Sequence, residues 1–131
     1  MAIPRVLVVD DSADIRGMLQ AQLEMEGFDV ATAPDGARAL ALLGRQRADL
    51  IITDLFMPDK DGIETILEIR EKYPAVQIVA MSGWDSRQGS DYLKVAREIG
   101  AVRTVKKPFE LTDIVNRARL DAAFLTTLVA R

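Results

Sequence analysis

A chain of 131 residues with 17 basic and 20 acidic side chains carries a net charge of −3, which gives no strong electrostatic case for holding nucleic acid or an anionic membrane. The absence of cysteine and histidine removes disulfides, thiolate nucleophiles, zinc-thiolate sites, Ser-His-Asp catalysis and any histidine-borne phosphoryl carrier. Apolar residues at 49% and charged residues at 28% describe a single soluble globular domain, long enough for a core without staples.

The chain opens Met1-Ala2-Ile3-Pro4-Arg5, without the basic-then-apolar pattern of a signal peptide, and no apolar run approaches membrane-spanning length. A cytoplasmic protein is the expectation. Val6-Leu7-Val8-Val9 is apolar at every position, as a parallel strand buried on both faces should be. Ile15, Met18, Leu19 and Leu23 then fall at helical spacing, with Gly27 as the stop. A weaker strand, Phe28 through Ala33, leads to a second helix marked by Ala37, Leu40 and Leu43. Leu50-Ile51-Ile52 is the third strand, and Ile63, Ile66 and Leu67 mark the third helix. Val76 through Met81, a helix with Tyr92, Leu93, Ala96 and Ile99, and Val102 through Val105 follow. The last helix carries Leu111, Ile114, Val115, Ala118, Ala122, Leu125 and Val129 on one stripe. Five βα units in alternation predict an α/β fold with an open, doubly wound, five-stranded parallel sheet. No linker or composition shift interrupts the chain, so residues 1–131 read as one domain with no appended effector.

The polar residues gain meaning on that scaffold. Asp10-Asp11 follow the first strand, Asp54 ends the third, Ser82 ends the fourth and Lys107 closely follows the fifth. Open parallel sheets bind ligands outside the carboxyl ends of their strands, and all five residues belong to that edge. Each has an ordinary structural reading when taken alone. Asp10, Asp11 or Ser12 could cap the first helix, Asp54 could form a turn, Ser82-Gly83 could end a strand, and Lys107 could be a solvated charge. Their joint placement favours a site. If strands one and three are neighbours, three carboxylates converge with a lysine and a hydroxyl. Two carboxylates about 5 Å apart repel by roughly 3 kcal/mol at an effective dielectric of about 20, so the group needs a cation or a proton. An all-oxygen site with few protein ligands suits Mg²⁺, and a carboxylate beside Mg²⁺, a lysine and a hydroxyl is equipment for phosphoryl transfer to an aspartate.

V-L-V-V-D-D, T-D-L-F-M-P-D-K-D-G, a strand ending M-S-G, and K-K-P-F occur in this order. Together they resemble the receiver domain of bacterial two-component response regulators, over essentially the whole chain. The resemblance implies strand order 2-1-3-4-5 with five helices. It implies that Asp54 is the phosphoacceptor, Asp11 a metal-ligating acid, and Asp10 its partner acting through metal-bound water. The backbone carbonyl of Phe56 would complete the metal ligands, Ser82 would bond the phosphoryl group, and Lys107 would pair with it. The peptide between Lys107 and Pro108 would be cis. The donor would be a sensor histidine kinase or a histidine phosphotransfer protein, since this chain has no histidine of its own. In related receivers the fourth helix, fifth strand and fifth helix form the face for a downstream protein partner or a weak homodimer.

Three features depart from the family pattern. Thr104 stands where receivers commonly carry a switching Tyr or Phe, which would leave the loop 83–90 and the fourth helix to report phosphorylation. That loop is longer than usual, with Gly83 and Gly89 near its ends. Phe56 and Trp84 lie two residues beyond Asp54 and Ser82, where they could screen an acyl phosphate from water. Arg103, Lys106, Arg117 and Arg119 read as a solvated or partner-binding face rather than a nucleic-acid site, given the negative net charge.

The expected function is therefore a Mg²⁺-dependent phospho-acceptor switch, which turns over no external substrate and is not an enzyme in the usual sense. An aspartyl-phosphate phosphatase of the haloacid-dehalogenase type would want an acid two residues after the nucleophile, where Phe56 stands. A phosphorylation-independent interaction module would have lost one of the acidic, hydroxyl or lysine positions, and all are present. Pro58, Asp59 and Asp61-Gly62 read as residues that shape the loop.

Overall fold

The computed structural model describes residues 3–55, 62–82, positions 94 and 98, 103–106 and 113–120, with Ser82 and 103–106 described as backbone. Five strands, β1 (Arg5–Val9), β2 (Asp29–Ala33), β3 (Leu50–Asp54), β4 (Gln77–Ser82) and β5 (Arg103–Lys106), form one parallel sheet in the order β2-β1-β3-β4-β5. Helices α1 (Ala13–Met25), α2 (Gly36–Arg45) and α3 (Gly62–Lys72) join them, and residues 113–120 form a C-terminal helix. This is the flavodoxin-like, doubly wound sheet that the sequence predicts.

The period-2 alternation of strand side chains divides the core in two. Leu7, Val9, Ile51, Ile78 and Ala80 face one way and pack with Ala39 and Leu43 of α2 and Ile66 and Ile69 of α3. Val6, Val8, Leu50, Ile52, Val79 and Met81 face the other way, against Leu19 and Leu23 of α1 and Ile114, Val115 and Ala118 of the C-terminal helix. β1, β2, β3 and β4 each contribute to both layers. That explains the uninterrupted apolar runs at Val6–Val9 and Leu50–Ile52.

Gly27 ends α1 at φ +95°. Its amide donates to the Glu24 carbonyl at 3.0 Å, and that of Phe28 donates to the Leu23 carbonyl at 3.1 Å. These two bonds form a Schellman motif, which needs a left-handed residue at Gly27 and turns the chain into β2. At the same amino-terminal edge of the sheet, Arg70 donates to the Pro74 carbonyl at 3.0 Å and the Val76 carbonyl at 2.6 Å, fixing the passage from α3 to β4. Partial burial lowers the Arg70 pKa, but a guanidinium remains charged at neutral pH.

Several sequence expectations need correction. Met18, Ala37 and Leu67 mark their helices by apolar spacing, yet all three are exposed. The buried face of α1 is centred on Leu19 and Leu23, and Met18 lies about 100° around the helix from Leu19. In α2 the inward positions are Gly36, Ala39 and Leu43; in α3 they are Gly62, Thr65, Ile66 and Ile69. A buried threonine and two buried glycines make these faces less apolar than a search for large side chains expects. β4 and β5 each run one residue later than predicted. Of the stretch read as the fourth helix, only Lys94 and Glu98 are described, and both are helical. The loop 83–90, Trp84, Lys107-Pro108, Leu111, Ala122, Leu125 and Val129 lie outside the described residues.

Candidate functional site

β1 and β3 are neighbours, and their register sets Val9 beside Thr53. The next residue on each strand is Asp10 and Asp54, so an acid from each meets at the carboxyl edge of the sheet. One carboxylate oxygen from each of Asp10, Asp11 and Asp54 lies within 4.8 Å of the others. Asp10 is fully buried, Asp54 is 4% exposed, and Asp11 opens to solvent.

Asp10 is held at three points. Its amide donates to the Ala33 carbonyl of β2 at 3.2 Å, and its Oδ1 accepts the Ser12 amide at 2.9 Å. Its carbonyl accepts Nη1 of Arg16 at 2.8 Å. Ser12 also caps α1, its hydroxyl accepting the Ile15 amide at 3.3 Å, so the start of the helix and the placement of the acid are one local structure. Asp54 is fixed by its strand and by what surrounds its backbone. Thr53 Oγ1 donates to the Asp54 carbonyl at 3.0 Å, and the Leu55 amide donates to the Met81 carbonyl at 2.8 Å, carrying the β3–β4 pairing past the acid.

At such separations, each pair of charged carboxylates repels by about 3 kcal/mol at an effective dielectric of about 20. Burying two of them adds a desolvation cost. A cation relieves both. The donors are all hard oxygens and one of them faces solvent, so the trio fits a divalent ion of the Mg²⁺ kind, which retains waters.

Of the other predicted site residues, Ser82 is the last residue of β4 and pairs with Lys106 on β5. Its backbone therefore stands on the same edge as Asp54, whose own partner is Met81. Phe56 and Lys107 lie outside the described residues. Thr104 pairs with Ala80 in the β4–β5 ladder.

Two residues near this edge matter in ways the sequence did not signal. Asp35, a further buried acid, follows β2; its Oδ1 accepts the Arg38 amide at 2.8 Å and caps α2. It caps a helix at the carboxyl edge of the sheet that carries the acidic cluster. Gly62 opens α3, and its amide donates to the Leu55 carbonyl at 2.9 Å. A Cβ on Gly62 would stand 2.4 Å from the Asp54 carbonyl oxygen and 2.5 Å from Leu55 Cα. Only a pattern of backbone contacts could have revealed either role.

The sequence profile of the response regulator receiver domain matches residues 6–119. Transcriptional regulatory protein PrrA of Mycobacterium tuberculosis is 38% identical over 116 residues, 88% of this chain and 48% of PrrA. The chain thus spans about half the length of the curated relatives it matches. Among solved structures, the chemotaxis protein CheY4 of Vibrio cholerae superimposes with a TM-score of 0.80 at 31% identity, covering 90% of this chain and 98% of that one. The receiver domain of the Francisella response regulator 1452 gives 0.84 at 27% identity, covering 93% and 98%.

Proposed function

The chain belongs to the response regulator receiver family, and from that premise we propose that it is a phospho-acceptor switch charged on Asp54. The observation that carries the reading is the convergence of Asp10, Asp11 and Asp54 within 4.8 Å, with two of the three buried. A fold has no structural need for such a cluster, whereas a site that gathers a cation and a phosphoryl group does.

In this reading Asp10 and Asp11, with Asp54 and the Phe56 carbonyl, hold Mg²⁺. When bound, the ion supplies positive charge against the oxygens of the transferring phosphoryl group. The Asp54 carboxylate attacks phosphorus in line; a P–O bond forms as the P–N bond of a partner's phosphohistidine breaks, and the imidazole leaves with the electron pair. Ser82 donates to a phosphoryl oxygen and Lys107 pairs with another. The donor is a histidine kinase or a phosphotransfer protein in the cytoplasm. The 131 residues act as one receiver unit that promotes its own phosphorylation and turns over no external substrate. The output passes through the fourth helix, β5 and the C-terminal helix to a downstream protein. Among the described residues no helix is long and apolar enough to cross a membrane.

Incubation with Mg²⁺ and acetyl phosphate, followed by intact mass, tests the assignment. The chain should gain one phosphoryl adduct and Asp54→Ala none; an adduct on both proteins, or on neither, removes it.

A further inference from the structure

Gly62 has no positive φ, so its backbone would accept any residue; only space excludes a side chain. The space is taken by the backbone of the acceptor itself. An added Cβ would lie 2.4 Å from the Asp54 carbonyl oxygen, 2.5 Å from Leu55 Cα and 3.1 Å from the Asp54 carbonyl carbon. None of these atoms is the far end of a flexible side chain. β3 is paired on both sides, to β1 and β4, and the Asp54 carbonyl also receives the Thr53 hydroxyl. α3 is pinned by the buried Thr65, Ile66 and Ile69. A Cβ at position 62 must therefore push apart two anchored elements at the residue whose carboxylate does the chemistry.

We propose that Gly62 is a positioning residue for Asp54: the bare start of α3 seats against the Asp54–Leu55 backbone and sets where the carboxylate stands relative to Asp10 and Asp11. The Gly62–Leu55 hydrogen bond locks that seat at 2.9 Å, joining the two ends of the segment 56–61. This inference rests on the reading of Asp54 as the acceptor. A shift of about 1 Å in a reacting group costs about 100-fold in rate.

The test places Gly62→Ala in a Gly17→Ala, Gly44→Ala background. A Cβ at Gly17 meets nothing within 4 Å, and at Gly44 only the Tyr73 hydroxyl at 3.9 Å, so both changes raise helix propensity without crowding. Ile69→Ala in the same background loosens α3 without touching Asp54 and serves as the stability control. With Mg²⁺ and acetyl phosphate, Gly62→Ala should take up phosphate about 100-fold more slowly than the background, while Ile69→Ala stays within about twofold. The rise in thermal midpoint on adding Mg²⁺ should shrink in Gly62→Ala alone. Uptake by Gly62→Ala at the control's rate, with the Mg²⁺ response intact, overturns the proposal. So does a Gly62→Ala chain that stays unfolded where Ile69→Ala folds, because the glycine would then serve the fold as a whole. If the background protein itself takes no phosphate, the reading of Asp54 fails instead, and the Mg²⁺ response still decides the role of Gly62.

Discussion

Arg16, near the start of α1, donates from Nη1 to the backbone carbonyl of Asp10 at 2.8 Å. The guanidinium thereby ties the helix to the end of β1, at the residue that buries its carboxylate beside Asp54. Losing a charged donor to a part-buried carbonyl should cost about 1–2 kcal/mol. Arg16→Ala is expected to lose that much in urea unfolding and to bind Mg²⁺ more weakly, with Arg16→Lys in between. Unchanged Mg²⁺ binding in Arg16→Ala would mean that the contact supports only the helix.

Asp54→Asn keeps the shape of the proposed acceptor and removes one of three crowded charges. In chelator-treated buffer it should be more stable than the parent by about 1–3 kcal/mol, since each repulsive pair is worth about 3 kcal/mol before solvent screening. With Mg²⁺ at about 100 times its dissociation constant, the parent should gain about 2.7 kcal/mol and the variant much less. Calorimetry with and without the ion checks both. A variant less stable than the parent in the absence of Mg²⁺ would contradict the repulsion.

Asp35 separates structural from chemical acids on the same sheet edge. Asp35→Ala removes the cap that accepts the Arg38 amide and should cost about 1 kcal/mol. Its uptake of phosphate from acetyl phosphate should match the parent. Slower uptake at a temperature where the variant remains folded would place Asp35 in the site.

Gly27 offers a test far from the chemistry. At φ +95° an alanine carries the left-handed penalty, so Gly27→Ala should lose about 1–2 kcal/mol in denaturant while phosphate uptake is retained. An unchanged unfolding midpoint would show that the Schellman turn does not need the glycine.

The sheet was legible because strands buried on both faces leave continuous apolar runs, and because helices of ordinary length alternate with them. Asp10, Asp11 and Asp54 were legible because each stands where a strand ends. Met18, Ala37 and Leu67 mark the right helices but lie outside their buried faces, because a helix face closes with small or polar residues as readily as with large apolar ones. Thr65 and Gly62 are among the buried positions of α3. Arg16, Asp35 and Gly62 were not legible as site or neighbour residues, because their roles are hydrogen bonds and close approaches to backbone. Backbone contacts leave no periodic trace in side-chain chemistry.

The pairing of β1 with β3 has a temporal meaning. Two of the acids are made early in synthesis and the third only after β2 and α2 have been laid down between them. A nascent copy, or one whose strands have slipped by a residue, has no acidic trio to gather an ion. On the proposed reading such a copy cannot be charged, and the pairing of β1 with β3 is the step that makes the chain competent to respond.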